Sequence, residues 1–337
     1  MRLASKAAAA ITALLIVSMV PMSAQAVPIP KRVANASAYI AKAQISDGSI
    51  PSYSTFGSTA DSVVAMVAAG RGPVTVRKAL RFLTAQVRTG AIEGAPAYDR
   101  VGLLAKAALA AVAAGRSPRD FGGENLLARI RATEEPDGRY GVETGSFNQA
   151  LAVIALEAAN VSASRRSMKW LIGAQCADGG WAYDGPPQPS DDEHCVDTND
   201  PTSDYFSSDT NTTSLVIQAR RLARGPSPAA PPFAFFKAAR DQSAGWGYQI
   251  GYGTDANSTG MVIQAYVAAG KRIPVGSMGA LKSLQDTTCG GFRYSNDSWV
   301  TGPDVASTLG GILGLLRRPL PIEPSALTPP PSAPDCA

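Results

Sequence analysis

Three stretches of the chain place a carboxylate or hydroxyl, then an amide, just ahead of an apolar run: Ser146-Phe147-Asn148, Asp209-Thr210-Asn211 and Asp255-Ala256-Asn257. Aligned on Val153-Ile154, Val216-Ile217 and Val262-Ile263, they put Asn148, Asn211 and Asn257 in one column. Asp209 and Asp255 fall in another, which Asp304 joins when its stretch is aligned on Thr308. An Asp at a helix start accepts an otherwise unpaired N–H of the first turn, and capping accounts for the Asp column outright. The Asn column asks for more, because Asn inside a helix has poor propensity. If these helix starts meet around one point, their N–H groups and amides suit an anionic or carbonyl-bearing ligand. The carboxylates also offer an acid and a base for glycoside chemistry, provided two of them stand about 5 Å apart for retention or about 6.5 to 9.5 Å for inversion.

A second set is aromatic. Trp181-Ala182-Tyr183, Trp246-Gly247-Tyr248 and Phe292-Arg293-Tyr294 share the pattern Gly-aromatic-x-Tyr, with Tyr205, Phe206, Tyr252 and Trp299 nearby. Alternation sends both aromatics of each string to one side of an extended loop. Core packing suits Trp181, Trp246 and Phe292, whereas a tyrosine keeps a polar tip for a ligand. Trp181, Tyr183, Trp246, Tyr248 and Tyr294 therefore join the three Asn and three Asp residues as candidate ligand contacts. An acidic insertion spanning 182–208 carries Asp184, Asp191, Asp192, Glu193, Asp197, Asp200 and Asp204, with no Lys or Arg between Leu171 and Ala219. It reads as a solvated loop. Clustered carboxylates can hold Ca²⁺, but Asp197-Thr198-Asn199-Asp200-Pro201 lacks the Gly of a regular calcium loop, and no other cofactor is expected.

The elements that must position these residues recur along the chain. An aromatic-Leu pair, a Gln a turn later and then Gly before an aromatic read as Trp170-Leu171, Gln175, Gly179-Gly180-Trp181 in the fullest copy. Weaker copies contain Phe236, Gln242 and Gly245-Trp246; Leu281, Gln285 and Gly290-Gly291-Phe292; Tyr39-Ile40, Gln44 and Asp47-Gly48; and Phe82-Leu83 with Gln86. A degenerate sixth runs from Ile130 through Glu134 or Glu135 to Tyr140. Periods of about 40 to 50 residues mark supersecondary units that bury their apolar faces on one another. Each unit reads as helix, Gly-rich loop, helix. Val-Ala-Ala-Gly ends the second helix at Gly70, Gly115 and Gly270, where a left-handed cap costs least. Six such units predict an all-α fold of about twelve helices, an α6/α6 toroid with Ala-rich second helices as the inner ring. An open solenoid would need polar terminal units, and the first and last units are no more polar than the rest.

Arg2 and Lys6, the apolar run Ala7 to Val20 and the site Ala24-Gln25-Ala26 have the layout of a cleaved secretory signal over residues 1–26. An uncleaved anchor is the alternative, although the run falls short of the roughly 20 residues that span a bilayer. No other segment is long enough to span. Residues 27–318 form the expected toroid, and the Pro-rich stretch 319–337 is an extended strap or linker. A net charge of +4 that falls on signal removal gives no reason to seek polyanions, so nucleic acid is not an expected partner. The four cysteines, Cys176, Cys195, Cys289 and Cys336, suit two disulfides in an oxidising compartment. Of the three pairings, Cys176–Cys195 with Cys289–Cys336 is preferred. Cys176 and Cys289 occupy similar places in units that are not neighbours, beyond the roughly 7 Å Cα separation a disulfide tolerates.

The Gln and Trp repeats resemble the QW motifs of the prenyltransferase and squalene oxidase repeat, the α/α toroid shared by terpenoid cyclases, protein prenyltransferase β-subunits and cobalamin carriers. The resemblance implies that Gln175, Gln242 and Gln285 tie a helix end to the next unit. It also implies what the enzymes of that superfamily require, and this chain departs from each. The cyclase acid motif Asp-x-Asp-Asp has its nearest string at Pro189-Ser190-Asp191-Asp192, without the first Asp. The metal-binding Asp-Asp-x-x-Asp would need an Asp where Cys195 stands. Zinc would have to be held by Asp191, His194 and a thiol, and no cysteine has the Gln of a thioester motif. The carriers are similar in being secreted, disulfide-bonded toroids that bind at the ring mouth, yet nothing after Pro319 forms their second domain. The expected role is a secreted, non-catalytic ligand-binding or cell-envelope toroid, extracellular, that binds a small-molecule, prenyl-like or glycan ligand at the ring mouth. The alternatives are a terpenoid cyclase-type enzyme with Asp191 or a mouth Asp as acid, and a polysaccharide-acting α6/α6 enzyme.

Overall fold

The computed structural model describes residues 29–184, 195 and 207–336. The expectations for the signal segment and for most of the acidic insertion, including Asp191, Asp192, His194 and the calcium possibility, lie outside them.

Twelve helices are seen among the described residues. Six form an inner ring: α2 (Thr55–Ala68), α4 (Ala97–Ala113), α6 (Ser146–Ala158), α8 (Thr210–Ala223), α10 (Ala256–Ala268) and α12 (Val305–Leu316). Each packs on the next, and α12 packs back on α2, so the ring closes as the repeat pattern predicts. The outer helices are α1 (Ile29–Ala43), α3 (Pro73–Arg88), α5 (Leu126–Ala132), α7 (Arg165–Gly173), α9 (Pro232–Ala238) and α11 (Ser277–Ser283). Each leans on the inner helix of the unit before it, and α1 takes that place on α12. The fold is an all-α α6/α6 toroid. Two small antiparallel ladders, β1 (Trp181–Ala182) with β2 (Ser208–Asp209) and β3 (Phe292–Arg293) with β4 (Pro303–Asp304), shape the loops that lead into α8 and α12.

Small side chains let the inner helices approach closely, as at Ala60, Ala105, Ala108, Ala150 and Ala265, all fully buried. The α10–α12 crossing is the tightest of these contacts. A Cβ on Gly260 would meet the Gly310 carbonyl oxygen at 2.3 Å, and one on Gly310 would meet Asn257 Cα at 2.8 Å. Neither obstacle is the flexible end of a side chain. Gly310→Ala is therefore expected to destabilise the protein by about 1–3 kcal/mol, the usual range for overpacking. A urea midpoint no lower than that of the parent would show that the two helices can part without loss.

The QW ties appear where the resemblance places them. Gln175 Nε2 donates to the carbonyls of Gly179 and Ala230, at 2.9 and 2.8 Å. Gln285 bonds Gly290 and Arg32, and Gln44 bonds Gly48 and Thr75. Each amide thus joins the end of one outer helix to the start of the next. In the degenerate unit Glu134 holds this place and accepts from Ser164 Oγ at 2.6 Å. Gln242 does not: it is exposed, and Arg240 makes the tie instead, its guanidinium bonding the carbonyls of Ala244 and Val275.

Cys176–Cys195 and Cys289–Cys336 are both bonded, with Cα separations of 5.3 and 4.7 Å. These are the preferred pairings, and they suit an oxidising, extracellular location. Among the described residues no helix is long and apolar enough to cross a membrane.

The C-terminal stretch is a strap. It leaves α12 and crosses the end of the ring where the inner helices finish. Leu320 N–H bonds Gln218 Oε1 of α8 at 2.8 Å, Ile322 is buried, and Ser325 Oγ bonds the Val67 carbonyl of α2 at 2.7 Å. Thr328 then pairs with Gly70 and Gly72, and Asp335 meets Lys42 before the final disulfide.

Candidate functional site

All six inner helices start at one end of the ring, so their first turns surround a common mouth. The Asp column does what its position predicts. Asp209, Asp255 and Asp304 are the N-caps of α8, α10 and α12, and the Oδ1 of each accepts the N–H of Thr212, Ser258 and Ser307 at 2.7, 2.7 and 2.8 Å. The tyrosines of the Gly-aromatic-x-Tyr loops complete each helix start from the following unit. Their carbonyls accept the first N–H groups: Phe147 N–H reaches Tyr183 O at 3.3 Å, Thr210 N–H Tyr248 O at 2.8 Å, and Ala256 N–H Tyr294 O at 3.0 Å. Tyr183, Tyr248 and Tyr294 are thereby fixed over the mouth, half-buried, each beside a neighbour's helix start.

Trp181 and Trp246 are placed elsewhere. They are 1% and 0% exposed, and their Nε1–H groups donate to the carbonyls of Leu171 and Phe236 at 2.7 Å. They are core residues that plug the gap between helices, not mouth contacts. Sequence reasoning missed the residues that aim them. Thr213, Thr259 and Thr308 stand four places after the three cap aspartates and accept the N–H of Trp181, Trp246 and Phe292 at 2.9, 3.0 and 2.9 Å. The recurring Asp-x-x-x-Thr spacing was the signal.

The Asn column divides. Asn148 is turned against α4, with Nδ2 bonding the Tyr98 carbonyl at 2.8 Å and Oδ1 packed on Gly102. Asn211 and Asn257 line a mouth cavity of about 200 Å³ together with Asp255, Tyr53, Tyr248 and Tyr294. Tyr53 comes from a first-unit loop without the aromatic motif, and it was not foreseen.

Below the mouth lies a central cavity of about 290 Å³. Every inner helix contributes an apolar side chain to it: Val64, Leu109, Leu151, Leu215, Met261 and Leu313. Leu320 of the strap lines it as well, and Tyr53 and Asn257 are shared with the mouth cavity. One ion pair, Lys106 to Asp61 at 2.6 Å, sits on its wall.

The electrostatics of the mouth are acidic. Burial pushes the Asp209 and Asp255 carboxyls up to about 7, with the cap hydrogen bonds offsetting part of that rise, and Asp304 adds to it at Asp255. Burial also raises Asp99 and Asp184, and it raises the Tyr183, Tyr248 and Tyr294 phenols, whose proximity to aspartates pushes them further. At Asp304 the second oxygen accepts from Ser307 Oγ at 2.6 Å. The hydroxyls of Thr212 and Ser258 hold the same sequence place and favour the charged forms of Asp209 and Asp255. Asp255 Oδ2 and Asn211 Oδ1, from two residues that line the mouth cavity, are buried acceptors without a hydrogen-bond partner in the protein. At α8 and α10, cap carboxylates and tyrosine carbonyls already take first-turn N–H groups that an anionic ligand would need. What the mouth offers instead is unpaired acceptors. Among the described residues, no group of three or more His, Cys, Asp or Glu side chains is placed to hold a metal ion.

No protein-family model and no curated protein sequence matches the chain. Solved structures do match in fold. An inactive variant of the α-1,6-mannanase GH76A of Salegentibacter, in complex with α-1,6-mannotriose, aligns over 86% of this chain and 99% of its own at 10% identity, with a TM-score of 0.57. The type II terpene cyclase MstE from Scytonema aligns over 86% and 97% at 15% identity, with a TM-score of 0.55. A variant of the same cyclase bound to its substrate, geranylgeranyl dihydroxybenzoate, gives a TM-score of 0.55 at 14% identity. The chain shares the toroid with both kinds of enzyme.

Proposed function

We propose that this is a secreted toroid that binds an amphiphile, its apolar chain in the central cavity and its hydrogen-bond-donating head among the mouth tyrosines and aspartates. The observation that carries the reading is the cavity itself, with one apolar wall from each inner helix, the strap across its far end and unpaired acceptors at its entrance. A buried acceptor without a partner costs about 1–3 kcal/mol, and a ligand donor at Asp255 Oδ2 or Asn211 Oδ1 would recover it. A volume near 300 Å³ is at the small end of ligand sites, which suits a short prenyl-type chain. The acidic mouth disfavours a phosphate or diphosphate head, so the head is neutral or cationic.

A glycan-acting enzyme is the second reading. It is favoured by Asp255, a carboxyl raised to about 7 beside the Asp304 carboxylate, since a general acid works best with a pKa near the operating pH.

Titration of the parent and of Leu313→Trp, which fills the cavity, separates the two. Binding of a farnesol-type alcohol is expected to weaken at least tenfold in Leu313→Trp, read by intrinsic fluorescence or native mass spectrometry, while α-1,6-mannotriose fails to bind either protein. Mannotriose binding or cleavage that survives Leu313→Trp and is lost in Asp255→Asn would replace the amphiphile reading with the glycan one.

A further inference from the structure

A cleft at the opposite end of the ring has a different character from the mouth. It holds about 560 Å³ between α3, the loop after α4 and the strap. Arg77, Arg81 and Arg116 line it, with Leu80, Phe121 and Leu327 among its apolar residues. None of the three guanidinium groups makes an ion pair or hydrogen bond to another described residue. Arg77 and Arg81 are four places apart on α3, a like-charge spacing that mildly disfavours the helix by itself. Asp120 is the one carboxylate in the lining, so the cleft keeps a net positive charge.

Helix-end electrostatics do not account for this arrangement. A basic residue is stabilising in the last turn of a helix, where it meets the negative end of the dipole. Arg116 lies beyond the end of α4, whose last turn holds no basic residue. Arg77, the fifth residue of α3, and Arg81, near its middle, lie beyond the turns on which the dipole acts. Three guanidinium groups that line one partly apolar cleft can offer bidentate bonds to a phosphate oxyanion, and the adjoining Leu80, Phe121 and Leu327 suit the start of an acyl or alkyl chain.

We infer that this cleft binds the phosphate group of an anionic amphiphile, Arg77, Arg81 and Arg116 holding the phosphate and the apolar residues the first part of its chain. The site is separate from the mouth and independent of what the mouth binds. The strap supplies one of its walls through Pro324, Ser325 and Leu327. A protein held there by a membrane phospholipid would turn its acidic mouth away from the anionic surface.

The test uses three probes on the full disulfide-bonded protein: inorganic phosphate, a monomeric short-chain phosphatidic acid, and vesicles of phosphatidylcholine with or without phosphatidylglycerol. Calorimetry is expected to show the short-chain lipid binding more tightly than phosphate, and sedimentation to show capture only by the vesicles containing phosphatidylglycerol. Arg77→Ala/Arg81→Ala should weaken both by roughly tenfold per arginine, the size of a lost charge-assisted bond. Arg221→Ala/Arg272→Ala, which removes exposed cations outside the cleft, should leave the short-chain lipid unaffected, as should Leu313→Trp. Equal losses in the two double variants would reduce the effect to general charge attraction and overturn the site. Phosphate binding as tightly as the lipid would overturn the amphiphile, and no binding of any probe would overturn the whole inference.

Discussion

Asp255→Asn is expected to stabilise the unliganded protein by roughly 2–4 kcal/mol at pH 8 and to change it little at pH 4. The carboxyl is buried, and its pKa rises from the ordinary 3.8 to about 7. A tenfold change in proton affinity between the folded and unfolded chain is worth about 1.4 kcal/mol, so a rise of this size sets the upper figure. The direction follows from linkage. Between pH 4 and 7 the folded protein keeps a proton that the unfolded chain has released, so stability falls as pH rises through that window and stays low above it. Asn retains the Oδ1 acceptor that caps α10, as good a cap as Asp, and carries no charge to desolvate. Urea unfolding at pH 4, 6 and 8 measures the effect, and parent stability that rises from pH 5 to 8 would show the carboxyl to be charged and solvated. Above pH 7, where the carboxyl is charged, the same substitution should weaken an amphiphile whose head donates to Asp255 Oδ2. Gain in stability with loss of binding at one residue is the pattern of a site whose strain is kept for function.

Opening the strap should have the second largest effect. Cys289 and Cys336 are 47 residues apart, and chain entropy assigns a crosslink of that span about 4 kcal/mol. Cys289→Ser/Cys336→Ser is accordingly expected to lose about 3–4 kcal/mol in denaturant unfolding. It should also bind a hydrophobic dye that the parent excludes, because Leu320 and Ile322 are then held by the strap's noncovalent contacts alone. Cys176→Ser/Cys195→Ser spans 19 residues, with an expected loss near about 3 kcal/mol, and should not admit the dye. Dye binding in both variants, or in neither, would mean that the disulfide does not secure the closed end of the cavity.

The toroid was legible because its signal is repeated. One Gly-Gly-Trp string identifies little, but six copies at similar spacing leave few other ways to bury their faces, and the closed contact of α12 on α2 follows. The cap aspartates were legible for a local reason, since a first-turn N–H needs a partner whatever surrounds it. Gln242 misled because residue type was followed instead of register. Trp246 Nε1 bonds Phe236 as Trp181 Nε1 bonds Leu171, which puts Arg240, not Gln242, in the place of Gln175. A guanidinium makes the same pair of carbonyl bonds. The separation of Tyr183, Tyr248 and Tyr294 from Trp181 and Trp246 was half legible: alternation foresaw that the loops would present both, not that the indoles would spend their N–H groups inside. Tyr53 and the crossing of the strap depend on contacts between parts of the chain far apart in sequence, and no local pattern announces them.

The bond between Cys289 and Cys336 encloses β3, β4, α12 and the strap in one covalent loop. Tension applied to the chain beyond Cys336 is therefore delivered to Cys289, at the start of that segment, and does not run through α12. That helix is mechanically bypassed, and a ring pulled from this end must yield at α11 or at the seam between α12 and α2.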